Sequence, residues 1–197
     1  MGTLLNRRRY MGGAKGLPYD AEIEYLEGNG TQYINTLIIP TPSLMIRVKL
    51  MNVSTTGFAI IGYGYSGNNR FSVHNYRSNC YLVFLGAEIY AGGKLNPNNI
   101  YEYEFGNFYI KDIPTGQVLT SSTPTTATGT DYIYLNGNPA HSNNRFYYFQ
   151  AYDGGQLTLD LIPVRKGTVG YMYDRVSGEL FGNKGTGAFV LGPDITT

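Results

Sequence analysis

From Arg145 to Val164 the chain reads RFYYFQAYDGGQLTLDLIPV, two runs of alternating character on either side of Asp153-Gly154-Gly155. A period of two belongs to strands, and a glycine pair accepts the positive φ that a tight reversal needs. The stretch therefore predicts a long β-hairpin. On its second strand Leu157, Leu159 and Leu161 fall on one face, with Thr158, Asp160 and Ile162 on the other. Pro163 cannot donate to a ladder and suits the strand's end or an edge.

The remainder repeats this grammar. AEIEYLE and TQYINTLII flank the turn Gly28-Asn29-Gly30, and Pro40 and Pro42 break the chain before SLMIRVKLMNV. There Leu44, Ile46, Val48 and Leu50 oppose Met45, Arg47, Lys49 and Met51, the pattern of a half-buried strand. GFAIIGYG, RFSVHNY and CYLVFLG follow, with Ser66-Gly67-Asn68-Asn69 as a loop. IYEYEF and FYIKDI surround Gly106-Asn107 as a second hairpin, with Tyr101, Tyr103 and Phe105 opposing Glu102 and Glu104. Thr120 to Thr130 reads as an exposed loop, and DYIYL, TVGYMYD, ELF and AFVL supply the last strands. No segment has a helical period. Many short strands between turn signals predict an all-β chain: a two-sheet antiparallel jelly-roll sandwich.

Composition agrees with that class and narrows the chemistry. The 26 glycines and 19 tyrosines, with only 15% charged residues, suit many tight turns between aromatic strands. The single cysteine, Cys80, allows no internal disulfide, and its apolar neighbours predict a buried, inert thiol. No apolar run approaches the roughly 18 residues of a membrane-spanning helix, and the glycine-rich stretch after Arg9 lacks the core of a signal peptide. A net charge of +1 conceals a division: Arg7, Arg8, Arg9 and Lys15 make the first 20 residues basic, while the rest is mildly acidic. Residues 1–20 are thus expected to be a basic, glycine-rich docking arm, through Arg7, Arg8, Arg9, Tyr10 and Lys15, and residues 21–197 one domain.

Three segments together resemble a known group. EYLEGNGTQYINT, YIYLNGNPAHSNNRFYYFQAYDGGQLTLDLIPV and VGYMYDRVSGELFGNKGTGAFVLG are similar to the concanavalin A-like lectin/glucanase (laminin-G-like) jelly rolls of bacteriophage and gut-bacterial surface proteins. Tyr33, Asp160, Pro163, Tyr173, Asp174 and Gly185-Thr186-Gly187 match the family's pattern. RRRYMGG leading through LPYD resembles the start of small phage virion proteins, where a basic arm attaches a jelly-roll head to a capsid, fibre or tail. The resemblance implies a homo-oligomeric virion protein, made in the host bacterial cytoplasm and joined to other virion proteins by its arm, with a surface open to host or environmental glycans; a free-standing carbohydrate-binding module is the alternative it leaves, and a glycoside hydrolase a more distant one.

Laminarinase-like members of that fold carry a Glu-x-Asp-x-x-Glu pattern, and Glu22-Ile-Glu24-Tyr25-Leu26-Glu27 resembles it. Glu22 and Glu24 share a strand face, as a retaining pair would. The central aspartate is replaced by Glu24, however, and the chain has no tryptophan to stack on a sugar, so the expectation is no enzyme and no catalytic residue. His74 and His141 are far apart and no aspartate-rich calcium loop is present, so no metal or other cofactor is expected. Gly182 to Gly187 lacks Walker spacing and reads as turns. For glycan binding the candidates are Tyr63, Tyr65, Asn68, Asn69 and Arg70, joined by Asn143 and Asn144, because they combine flat faces with amide donors and acceptors. Three arginines without an aromatic-lined basic face do not point to nucleic acid.

Overall fold

The structure, a computed structural model, describes residues 16–53, 59–63, 70–76, 79–85, 87–90, 95–120, 124–137 and 143–195. Its strands are β1 (Ala21–Glu22), β2 (Leu26–Glu27), β3 (Ile34–Asn35), β4 (Leu44–Asn52), β5 (Ala59–Tyr63), β6 (Phe71–Tyr76), β7 (Asn79–Phe84), β8 (Ala87–Tyr90), β9 (Ile100–Gly106), β10 (Tyr109–Asp112) and β11 (Val118–Thr120). They continue with β12 (Tyr134–Leu135), β13 (Asn144–Asp153), β14 (Gln156–Lys166), β15 (Val169–Asp174), β16 (Leu180–Phe181) and β17 (Val190–Leu191). The described residues contain no helix, and every strand pairing among them is antiparallel. The larger sheet runs β11-β10-β9-β4-β13-β14-β15-β16, with β1, β2 and β17 attached beside it; the smaller runs β3-β12-β5-β6-β7-β8.

One apolar core joins the two sheets in a sandwich-like arrangement. Ile46, Val48, Leu50, Phe105 and Phe149 from the larger sheet cluster with Ile61, Phe71, Val73, Leu82 and Phe84 from the smaller, all nearly inaccessible. The alternation seen in the sequence of β4 delivers its four aliphatic residues to this core and turns Met45, Arg47 and Lys49 outward. β9 obeys the same rule, with Tyr101, Tyr103 and Phe105 packed inward.

The predicted hairpin forms as β13 and β14, but two bulges modify its faces. Between Phe146 and Tyr148 the register against β4 shifts, so Tyr147 is an extra residue and both tyrosines lie half-buried. Between Ala151 and Tyr152 the register against β14 shifts as well: Ala151 opposes Leu159 while Tyr152 opposes Leu157. The expected leucine face is thereby broken. Leu159 and Leu161 stay in the core, whereas Leu157 is 38% exposed.

Pro163 is not at the strand's end, since β14 continues to Lys166. It stands where β14 changes neighbours. Past Phe149 and Leu161 the hairpin splays, and β2 takes the free edge of β13 through Leu26 and Glu27 while β1 takes that of β14 through Ala21 and Glu22. The Pro163 carbonyl accepts Ile23 N–H at 3.1 Å, so the proline's missing donor also faces this seam. Ile23, fully buried, plugs it, and Asp194 and Ile195 pair back onto Ile23 and Glu22. The seam also takes in Tyr19 and Asp20: the Asp20 N–H donates to the Arg165 carbonyl and the Tyr19 ring packs edge-on to Tyr173 at 4.9 Å.

At this open end of the sandwich, Gly28 to Tyr33 interlocks with Asn183 to Gly187. Thr31 Oγ1 and Gln32 Nε2 donate to the Thr186 carbonyl at 2.8 and 3.0 Å, and Tyr33 N–H donates to Asn183 Oδ1 at 3.2 Å. Gln32 is fully buried, and its Oε1 accepts the Asn29 N–H at 2.8 Å. The opposite end is closed by the Asp153-Gly154-Gly155 turn, where Asp153 accepts the hydroxyls of Thr41 and Ser43.

Candidate functional site

Of the residues expected to form a glycan site, the structure describes Tyr63, Arg70, Asn143 and Asn144. Tyr63 is 6% exposed, in the core near the turn end, and its hydroxyl accepts Thr130 N–H at 3.3 Å; burial raises its pKa. Arg70, half-buried, lies just beyond it and pairs with Glu88 at 3.1 Å. Asn144 belongs to the other end of the sandwich. It is fully buried, and its Nδ2 donates to Asn136 Oδ1 at 3.0 Å, close to where Asn136 N–H meets the Ile60 carbonyl. From Ile60 to Tyr63 the strand rises about 10 Å, which separates Tyr63 from the Asn136–Asn144 pair. Asn143 is half-buried and its carbonyl accepts Val53 N–H. Tyr65, Asn68 and Asn69 lie outside the described residues, as do Arg7, Arg8, Arg9, Tyr10, Lys15, His141 and the Cys80 side chain.

What the fold does bring together is the outward face of the larger sheet. β13 presents Arg145, Tyr147, Tyr148, Gln150 and Tyr152 there, beside Arg47 and Lys49 of β4 and Glu102 and Glu104 of β9. Arg145 lies 4.3 Å over the Tyr25 ring and hydrogen-bonds Glu27. Lys49 approaches the Tyr147 ring at 5.5 Å, Tyr148 donates to Glu102 at 2.6 Å, and Arg47 pairs with Glu104 at 2.7 Å while lying 5.5 Å from the Tyr152 ring centre. Gln150 donates to Asp160 at 2.9 Å, and Arg175 reaches the same carboxylate. The sequence predicted the hairpin but not this face. Its polar alternation was visible in β13 and β4, but their adjacency is non-local, and the bulge that adds Tyr147 carries no local signal.

Chemically the face is a broad ladder of tyrosines, guanidinium groups, carboxylates and an amide. Burial acts to raise the Glu104 carboxyl, but hydrogen bonds from Arg47 and Tyr109, with the charges of Arg47 and Lys111, outweigh it and hold the group below the usual carboxylate range. Such a group is an anion at neutral pH and not a proton donor. Glu22 and Glu24 flank buried Ile23 in the seam, Glu22 accepting the Tyr19 hydroxyl at 3.1 Å and Glu24 exposed. Among the described residues no group of three metal-ligating side chains assembles. A cleft lined by Tyr103, Ile110, Asp112, Gln117 and Leu119 encloses about 40 Å³, space for a water or two and far below the several hundred Å³ of a small-molecule site. A tyrosine-rich surface whose charges are compensated by neighbours has the chemistry of a contact surface for an extended or macromolecular ligand. No protein-family model matches the chain, and no curated protein matches it.

Proposed function

We propose that the chain is a non-enzymatic structural protein of a bacteriophage particle, as a capsid decoration, head-fibre or tail-associated component. Its domain is a sandwich of the concanavalin A-like jelly-roll kind, displayed outward as a homo-oligomer, and its arm, residues 1–20, joins it to another virion protein. The observation that carries this reading is spatial: the three segments that resemble the family converge. Thr31 and Gln32 of the first clasp Thr186 of the third, and β2 lies between β13 of the second and β17 of the third. The segregated charge supports an arm that docks on an acidic protein surface.

Deleting residues 1–16 tests the assignment. The shortened chain is expected to fold and to be lost from assembled particles; undiminished incorporation would sink the docking role. The second part of the reading is adhesion to a host or environmental glycan, for which the tyrosines and amide of the larger sheet's outward face offer stacking planes and hydrogen bonds. A glycan array comparing the native chain with Tyr147→Ala, Tyr152→Ala, Tyr65→Ala and Arg70→Ala decides it. Loss confined to the first two places the ligand on the sheet face, loss confined to the last two places it on the loop after β5, and no binding on a broad array leaves the chain a display scaffold alone.

A further inference from the structure

Two asparagines in this chain precede glycine, Asn29 and Asn136, and the fold treats them in opposite ways. Asn-Gly is the dipeptide in which a following residue without Cβ leaves its own nitrogen least shielded, so that this nitrogen can reach the asparagine side chain. Asn136 is denied that motion. It is 2% exposed, its Oδ1 accepts Asn144 Nδ2 at 3.0 Å, its amide packs hard against Gly28, and its N–H donates to the Ile60 carbonyl. Asn29 is exposed at the tip of the Gly28 to Gln32 turn. Its carboxamide has one weak contact, from Thr31 Oγ1 at 3.4 Å, and Gly30, at φ +101°, donates no hydrogen bond among the described residues.

We propose that Asn29-Gly30 is a site of spontaneous covalent modification. The Gly30 nitrogen attacks the Asn29 carboxamide carbon and a new C–N bond forms; the proton lost by that nitrogen is relayed through water to the carboxamide –NH2, whose C–N bond breaks so that ammonia leaves. Water then opens the succinimide at either carbonyl, giving aspartate or isoaspartate at position 29. No oxidant or enzyme is required. The product falls next to the clasp at the sandwich's open end. Isoaspartate adds a methylene to the backbone two residues before Thr31, which misaligns the Asn29 N–H with Gln32 Oε1 and loosens the Thr31 and Gln32 bonds to Thr186. A negative charge arrives there in either product.

The test is peptide mapping of the full chain aged warm at mildly alkaline pH, folded and in denaturant. In the folded chain conversion at Asn29 should outrun that at Asn136 by at least about tenfold, because Asn136 must first open locally, and in denaturant the two should approach each other. Equal rates in the folded chain, or Asn136 ahead, would overturn the proposal. N29Q, which cannot close the five-membered ring efficiently, separates ageing at this site from other damage. Aged native chain is expected to melt about 2–4 °C lower than fresh chain while aged N29Q is unchanged. An equal fall in both would overturn the loosening of the clasp.

Discussion

Asp174 is 2% exposed, and its carboxylate accepts the backbone N–H groups of Asp160, Val176 and Ser177 at 2.8, 3.0 and 2.9 Å. One side chain thus satisfies three donors and ties the turn after β15 to the middle of β14. The resemblance marked Asp160 and Asp174 in the sequence, and the structure gives both a holding role, Asp160 gripping Gln150 and Arg175 on the outward face. Asp174→Ala should leave those donors unsatisfied at a cost of about 3 kcal/mol, read as a lower denaturant midpoint, and Asp174→Asn should cost less because one oxygen acceptor remains. His74 offers a pH-dependent counterpart. Burial, with Arg70 nearby, lowers its pKa from 6.5 to about 4. The unfolded chain therefore takes up this proton first, so stability is complete above pH 6.5 and declines as pH falls towards about 4. Substituting His74→Gln should flatten the stability profile over that interval, as measured by melting temperature against pH; an unchanged slope would assign the acid sensitivity elsewhere.

Among elements, the clasp between the turn after β2 and the loop after β16 joins residues far apart in sequence. A Cβ on Gly185 would lie 1.9 Å from the Thr31 carbonyl oxygen, a backbone atom with nowhere to move, whereas one on Gly182 would meet only the Tyr171 ring at 3.4 Å. Gly185→Ala is accordingly expected to destabilise by about 2–4 kcal/mol and Gly182→Ala by less than 1, a contrast that thermal melting of the two variants would reveal. Reading GNKGTG as turns gave the right chemistry for Gly187, which has φ +72°, but the reason for Gly185 is a close approach that only the folded partner makes visible. The same limit governs the strands. Alternation in β4, β9 and β13 was legible because one face of each is buried, and the Asp153-Gly154-Gly155 reversal because its glycines both take positive φ. Leu157 was misplaced because the bulge at Thr158 reverses the faces within one residue, and Pro163 because β14 changes neighbours midway. Of the candidate loop residues that the structure describes, Tyr63 and Asn144 are both buried, which their place beside loops in the sequence did not signal.

Taken whole, the molecule is built around a seam. The hairpin β13–β14 opens at one end, and the segment from Tyr19 to Gly28 fills the gap, held by Ile23 in the core, by the Tyr19 ring on Tyr173, and by Asp20, whose carboxylate accepts Gly167 N–H at 2.6 Å. After β17, Gly192 to Ile195 pair with Glu22 to Tyr25, so early and late parts of the sequence close the same gap. Basic charge ends where this packing begins, since no arginine or lysine lies between Lys15 and Arg47. The proposed docking role and the folding of the domain therefore fall on different residues, and two truncations should differ sharply. Removing residues 1–16 takes away the four basic side chains and none of the seam, so the melting temperature should stay within about 2 °C of the full chain. Removing residues 1–24 also withdraws Ile23, the Tyr19–Tyr173 contact and the pairing of Ala21 and Glu22 with β14, exposing apolar surface and leaving unpaired backbone on the β14 side of the seam. That chain should be cooperative no longer, or melt more than about 10 °C lower. Circular dichroism of both, with limited proteolysis to locate the first cut, distinguishes the cases; a stable shorter chain would mean that the β13–β14 hairpin and β17 close the gap without the segment that now fills it.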